Sequence, residues 1–112
     1  MRIYVAGPYT KGDVAINVRN AIMIGDRLLS QCFTPFIPHL THFWHLLKPR
    51  DYQVWIDYDL KMLEGCEALY RMSGVSPGAD GEVDRAKELG IPVFYADDNG
   101  MQKLSDYRNN KC

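Results

Sequence analysis

From Ser76 to Glu82 the chain reads Ser-Pro-Gly-Ala-Asp-Gly-Glu, and a helical pattern followed by a strand runs on from Val83 to Phe94. Such a loop offers a hydroxyl and flexible backbone amides at the start of a helix, where unpaired N–H groups favour an anion the size of a phosphate. Glu82 falls about one turn inside this helix. At about 100° per residue it shares a face with Ala79, Ala86 and Leu89, whereas Asp84, Lys87 and Glu88 point elsewhere. A second carboxyl behaves in the same way on a helix predicted from about Asp51 to Gly65. There Asp59 is centred on a stripe of Tyr52, Trp55, Ile56, Met62, Leu63 and Cys66, while Asp57 points to the opposite side. An apolar setting desolvates a carboxyl, raises its pKa and lets it remain a proton donor near neutral pH. Two inward carboxyls in one cleft suit acid–base or glycosyl chemistry.

The elements that must position these groups alternate between strand and helix. Ile3 to Ala6 is a short buried strand ending at the turn dipeptide Gly7-Pro8. Asp13 is an N-cap candidate for a helix whose apolar positions run from Val14 to Leu29. Thr34 to Ile37 reads as a second strand, closed by Pro38. Residues 39–50 read as an irregular, aromatic and histidine-rich segment before the Asp59 helix. Ala68 to Arg71 is a third strand leading into the Ser76 loop. The Glu82 helix stops at Gly90, and Ile91 to Tyr95 forms a fourth strand. Residues 97–112 make a polar tail with room for one short helix. This order predicts an α/β fold: a small, doubly wound, Rossmann- or flavodoxin-like parallel sheet of four to five strands flanked by helices. Ligands of such sheets sit beyond the carboxyl ends of the strands, so the Gly7 turn and the Ser76 loop should line one crevice.

Composition narrows the class. With 112 residues and 46% apolar content, one domain over 1–112 can bury a real core without staples. A formal net charge of −1 gives no electrostatic reason to expect a nucleic-acid polymer or a membrane surface as partner. Cys32, Cys66 and Cys112 are an odd set without ligand-like spacing, which argues against a disulfide framework and for a reducing, cytoplasmic setting. No apolar run approaches the roughly 20 residues of a membrane span, and Met1 leads into a strand rather than a signal peptide.

His39, His42 and His45 recur every three residues. On a helix they would fan across about 120° instead of converging, and no carboxylate or cysteine has ligand spacing nearby, so no metal is expected. Contact of His39 or His45 with a ligand, and stacking of Trp44 or Trp55 on a ring, fit the segment better. Its aromatics equally suit a core or a subunit interface, and a homodimer or higher homo-oligomer is expected.

Together, Tyr4-Val5-Ala6-Gly7-Pro8-Tyr9, the helical Asp59-Leu60, and Ser76-x-Gly78-Ala79-x-x-Glu82 ahead of Gly90-Ile-Pro-Val resemble the nucleoside 2-deoxyribosyltransferase superfamily. The resemblance covers residues 2–95. It extends to the deoxynucleoside 5′-monophosphate N-glycosidases and, in particular, to a group of short phage and bacterial proteins. It implies that Glu82 attacks or stabilises the anomeric carbon, that Asp59 assists departure of the base, and that the Tyr4 hydroxyl orients the catalytic carboxylate. It further implies that Gly7, Ser76, Gly78 and Ala79 hold the sugar and its 5′ substituent. Pro8 and Tyr9 continue the Gly7 turn, and His45 is the histidine placed at the ligand. No cofactor is implied.

One departure is informative. Six residues before the glutamate, the nucleoside transferases resemble one another in an aspartate for the free 5′-hydroxyl, whereas this chain has Ser76, as the monophosphate hydrolases do. A carboxylate repels a phosphate, and a hydroxyl with neighbouring amides accepts one. The expected activity is therefore cleavage of the N-glycosidic bond of a nucleoside 5′-monophosphate, by hydrolysis or base exchange. The alternative is a non-catalytic nucleotide-binding module of the same fold. Met72-Ser73, where related short proteins often carry Leu-Pro, and the lack of a tryptophan near Val75 give that alternative its weight. Base identity and ribose against deoxyribose stay open.

Overall fold

The structure, a computed structural model, describes residues 1–108; Cys112 and the last residues of the predicted tail lie outside the described residues. Four parallel strands, β1 (Arg2–Ala6), β2 (Thr34–Phe36), β3 (Ala68–Arg71) and β4 (Val93–Tyr95), form one sheet in the order β2-β1-β3-β4. Among the described residues five α-helices accompany them: α1 (Val14–Ser30), α2 (Thr41–Leu47), α3 (Tyr52–Glu64), α4 (Pro77–Glu88) and α5 (Gly100–Tyr107). The chain leaves β1 towards β2 and later crosses back to β3 on the other side. Its topological switch point thus lies between β1 and β3, where doubly wound sheets hold their ligands.

Alternation along β1 divides the core. Ile3 and Val5 join Leu28, Phe33, Ala68, Tyr70, Met101 and Leu104 on one face, whereas Tyr4 and Ala6 join Leu63, Cys66, Leu69, Ala79, Val83 and Ala86 on the other. The first group packs α1 and α5 on the sheet, and the second packs α3 and α4. The segment read as a polar tail therefore contributes to the core, because Met101 and Leu104 lie three residues apart on one side of α5 and are both buried.

Local signals set the helix ends. Asp13 caps α1, its carboxylate accepting the Ile16 N–H at 3.1 Å. Ser76 caps α4 and Pro77 takes the first helical position, where its missing N–H costs nothing. For that reason the helix already begins at Pro77, and the loop predicted ahead of Glu82 is corrected to a helix start, with Glu82 inside the helix as expected. Gly90 follows α4 with a φ of 73°, the left-handed conformation of a C′ glycine. The segment 39–50 is also more ordered than expected: a single-turn 3-10 helix over Pro38–Leu40 leads into α2. None of the α2 residues is buried, and Phe43, Trp44, Leu46 and Leu47 are exposed. A lone amphipathic face without a covering layer leaves little sequence periodicity to read.

Cys66 is a free, buried thiol, whereas Cys32 is disulfide-bonded, which corrects the expectation of reduced thiols. Among the described residues no helix is long and apolar enough to cross a membrane.

Removing the α1 cap gives a direct check. Asp13→Ala should lower the unfolding free energy by about 1 kcal/mol in urea titrations with no change in the slope m, and Asp13→Ser should restore most of it. An unchanged midpoint in Asp13→Ala would show that the cap contributes nothing.

Candidate functional site

Beyond the carboxyl ends of β1 and β3 lies a cavity of about 550 Å³. The two strand-end loops that meet there pack on each other closely. A Cβ on Gly7 would fall 2.7 Å from the Met72 sulfur and 2.9 Å from its Cβ, so only glycine allows this approach.

Glu82 comes from α4 and Asp59 from α3, and both line the cavity. Tyr4 lies beneath, fully buried in β1, with its ring 5.5 Å from that of Phe36. Its hydroxyl donates to Glu82 Oε2. The sequence thus brought together the three residues proposed for chemistry, from three separate elements.

Burial and mutual charge then divide their protonation. Desolvation pushes Glu82 up to about 7, while the Tyr4 hydroxyl and the Arg71 guanidinium pull it back. Asp59 is pushed up to about 8, first by desolvation and then by the negative charge of Glu82. Asp59 Oδ1 is buried and without a protein partner. The Tyr4 phenol is raised by burial and by Glu82, so it remains a donor. At pH between about 7 and about 8 the arrangement favours an ionised Glu82 beside a protonated Asp59, an acid and a base set apart by environment. Asp57, by contrast, is exposed and accepts from the Gln53 amide at 2.8 Å on the outer side of α3.

The start of α4 supplies the polar end of the cavity. Gly78, Ala79 and Ser76 all line it. The Ser76 Oγ accepts the Ala79 N–H at 3.1 Å, and its own proton remains to be donated. Asp80 N–H bonds the Ser76 carbonyl at 3.0 Å. Pro77 has no N–H, so the Gly78 amide is the first-turn donor that helix geometry leaves for a ligand. Tyr9, Thr10 and Lys11 from the β1 loop complete this region.

Histidines form much of the remaining wall. His39 is 5% exposed, and its Nε2 lies 2.8 Å from the Pro8 carbonyl. A carbonyl only accepts, so the proton is on Nε2, and burial lowers the pKa of the ring. Nδ1 is left as a buried acceptor without a protein partner. His45 has the opposite arrangement. Its Nδ1 accepts from the Trp55 indole N–H at 2.8 Å, which places the proton of the neutral ring on Nε2. His42 pairs with the Tyr9 hydroxyl at 2.8 Å instead of lining the cavity. The three histidines therefore have three different partners, and among the described residues no group of His, Cys, Asp or Glu could hold a metal.

Nine of the ten residues singled out from the sequence thus meet at this place: eight in the wall and Tyr4 directly behind Glu82. Pro8 is the exception. It lines a neighbouring cavity of about 370 Å³, and its carbonyl pairs with His39. Of the two tryptophans, Trp55 lines the site, whereas Trp44 packs on it from outside at 5.0 Å. Met62, placed in the Asp59 stripe, is 41% exposed, since α3 rolls its centre towards Trp55 and Leu63. Sequence reasoning missed Lys11, Thr10 and Thr41 in the wall and Arg71 behind it. The first two merely continue the Gly7 turn, and Arg71 stood out only as a charge ending an apolar strand.

The raised Asp59 pKa has a sign that can be measured. Unfolded, the group titrates near 3.8 and folded at about 8, so between these values the folded chain holds the extra proton and stability falls as pH rises. Asp59→Asn removes that loss. Relative to the native chain, its unfolding free energy should be higher at pH 8 than at pH 4 by on the order of 2 kcal/mol in urea melts. A difference that does not change with pH would place Asp59 in an ordinary solvated setting.

Comparison with known proteins agrees at the level of fold. The 2-deoxyribosyltransferase of the psychrotolerant bacterium Bacillus psychrosaccharolyticus, described as a biocatalyst for the synthesis of antiviral and antitumoral nucleosides, superposes with a TM-score of 0.67. It is 17% identical, and the match covers 85% of this chain and 71% of that one. The fold is accordingly deoxyribosyltransferase-like. No curated protein matches the chain in sequence. The family model described as Domain of unknown function (DUF7768) matches residues 1–96, and the chain belongs to that family.

Proposed function

We propose that the protein cleaves the N-glycosidic bond of a nucleoside 5′-monophosphate, by hydrolysis or by exchange of the base. One observation carries this reading: a Tyr4-tethered Glu82 and an unpaired Asp59 share a cavity and are poised at about 7 and about 8. Glycosyl cleavage passes through an oxocarbenium-like state that needs negative charge at the anomeric carbon and a proton for the leaving group. Ionised Glu82 supplies the charge, either by stabilising C1′ or by bonding to it. Asp59 gives its proton to the departing base nitrogen as the C1′–N bond breaks. Water, or a second base, then takes the sugar, and Asp59 recovers a proton.

The polar end of the cavity supports the monophosphate. The Ser76 hydroxyl, the Gly78 amide and Lys11 would hold a phosphate, and this remote binding would fix C1′ against Glu82. The fold likeness to a nucleoside transferase supports glycosyl transfer in general. The exposed apolar side chains of α2 support the homo-oligomer as part of the same reading.

Base release, followed by chromatography over a panel of ribo- and deoxynucleoside 5′-monophosphates and the matching nucleosides, tests the reading. Glu82→Gln should lose at least about a thousandfold in kcat, and Asp59→Asn about a hundredfold or more. The native enzyme should have a narrow optimum, because activity rises as Glu82 ionises at about 7 and falls as Asp59 deprotonates at about 8. Ser76→Asp keeps a competent helix cap yet should cut kcat/KM for monophosphates at least about tenfold more than for the matching nucleosides. Nucleotide binding with no release from any substrate would overturn the enzymatic reading in favour of a binding module.

A further inference from the structure

Arg71 ends β3 as a charged residue that is only 9% exposed. It is no cavity residue, and the chemistry described above does not use it. One of its guanidinium nitrogens donates to the Met72 carbonyl. The other donates at 3.0 Å to both the Gly74 carbonyl and Asp80 Oδ1. A single buried cation thus joins the end of β3, the loop after it and the first turn of α4. Asp80 itself is largely exposed, with 70% of its side chain open to solvent, so this pair is not needed to solvate the carboxylate. The pair's evident effect is to hold α4 against the sheet two residues before Glu82.

A buried guanidinium is costly unless its donors are used, and these donors are spent on the backbone of a site loop. The Tyr4 hydroxyl from β1 bonds Glu82, the charges of Arg71 from β3 and of Asp59 from α3 act on the same site, and Asp80 pairs with Arg71 on Glu82's own helix. Lys11, His39 and His45 share the cavity wall. Of the groups acting on Glu82, Arg71 is the cation, and its charge opposes the desolvation of Glu82.

We propose that Arg71 is the positioning residue of this site: its guanidinium clamps the Met72–Gly74 loop and Asp80 so that α4, and Glu82 with it, starts in one place. The charge and the clamp are separable. Lysine keeps a charge but lacks the planar fork that reaches three acceptors, whereas methionine keeps neither.

The proposal rests on the glycosyl reading only for its catalytic consequence, so its test avoids turnover. Full-length protein labelled with 13C at glutamate carboxyls would be titrated by NMR, with Glu82→Gln identifying the Glu82 signal. In Arg71→Met the Glu82 midpoint should rise by about one pH unit. In Arg71→Lys it should rise by less than half as much, while hydrogen exchange of the amides from Ser73 to Asp80 speeds up at least about tenfold. A Glu82 midpoint that stays in place in Arg71→Met shows that Glu82 does not depend on Arg71 and overturns the positioning role. Unchanged exchange in Arg71→Lys overturns the clamp, and that variant decides the matter even if Arg71→Met does not fold. If the native enzyme releases no base, the glycosyl reading fails while both measurements still judge Arg71. If it does release base, the acid limb of its pH profile should move with the NMR midpoint.

Discussion

The hydrogen bond from Tyr4 to Glu82 is the constraint around which the rest is arranged. It joins the central strand to a helix two crossovers later in the chain, and it works only if the phenol stays protonated, the carboxylate is bare of water and the two elements lie close together. Close approach is met by small side chains, since Ala79 and Ala86 are almost wholly buried under α4. The register of β1 meets the rest. Alternation sends Tyr4 and Ala6 to the α4 face and Ile3 and Val5 to the α1 face, so a slip of one residue would remove the phenol from the site and put it in the other core. Parallel pairing of Tyr4 with Leu69 and Phe36 on either side resists that slip.

Holding the site in this state is unfavourable by itself. Asp59 Oδ1 and His39 Nδ1 are buried without protein partners, and each such orphan costs roughly 1–3 kcal/mol. Two carboxyls sharing one cavity add mutual repulsion. Natural folds tolerate such conflicts chiefly where function requires them, and they are offset by consistent packing elsewhere. Here that packing lies on both faces of the sheet, where Ile3, Val5, Leu28, Leu63, Leu69 and Leu104 are completely buried. The orphans also differ in kind. His39 presents a lone pair and Asp59 a carboxyl that can hold a proton, so the wall suits a ligand that carries both donors and acceptors.

The sequence revealed the strands because four short β-rich runs end at turn residues, and it revealed Glu82 and Asp59 because carboxyls on apolar helix faces conflict with binary patterning. It revealed less where structure depends on partners distant in the chain. Residues 39–50 have no regular apolar period, since α2 buries nothing, and so the helix was not visible. The loop reading ahead of Glu82 ran too long because two glycines suggested flexibility, whereas the serine cap and the proline after it start the helix at once. The role of Pro8 depended on its carbonyl, which no side-chain pattern reports. Arg71 was invisible for a related reason: its partners are main-chain oxygens and an exposed aspartate, none of which forms a motif.

Ser76 shows how closely fold and chemistry are joined at the polar end. As a cap it accepts one N–H from Ala79, a task an aspartate performs equally well. The two differ in what they bring to the cavity. An aspartate would add a third carboxylate to a wall that already holds Glu82 and Asp59, and its charge would raise both of their pKa values further. A neutral cap keeps the helix start intact and leaves the local balance of charge to the ligand. With serine in place, a bound phosphate would bring its own negative charge to this end of the cavity, and Lys11 and the amide end of α4 are the groups there able to offset it. The choice of a neutral cap thus acts on Glu82 as well as on the ligand, since both respond to the same charge at the same helix start.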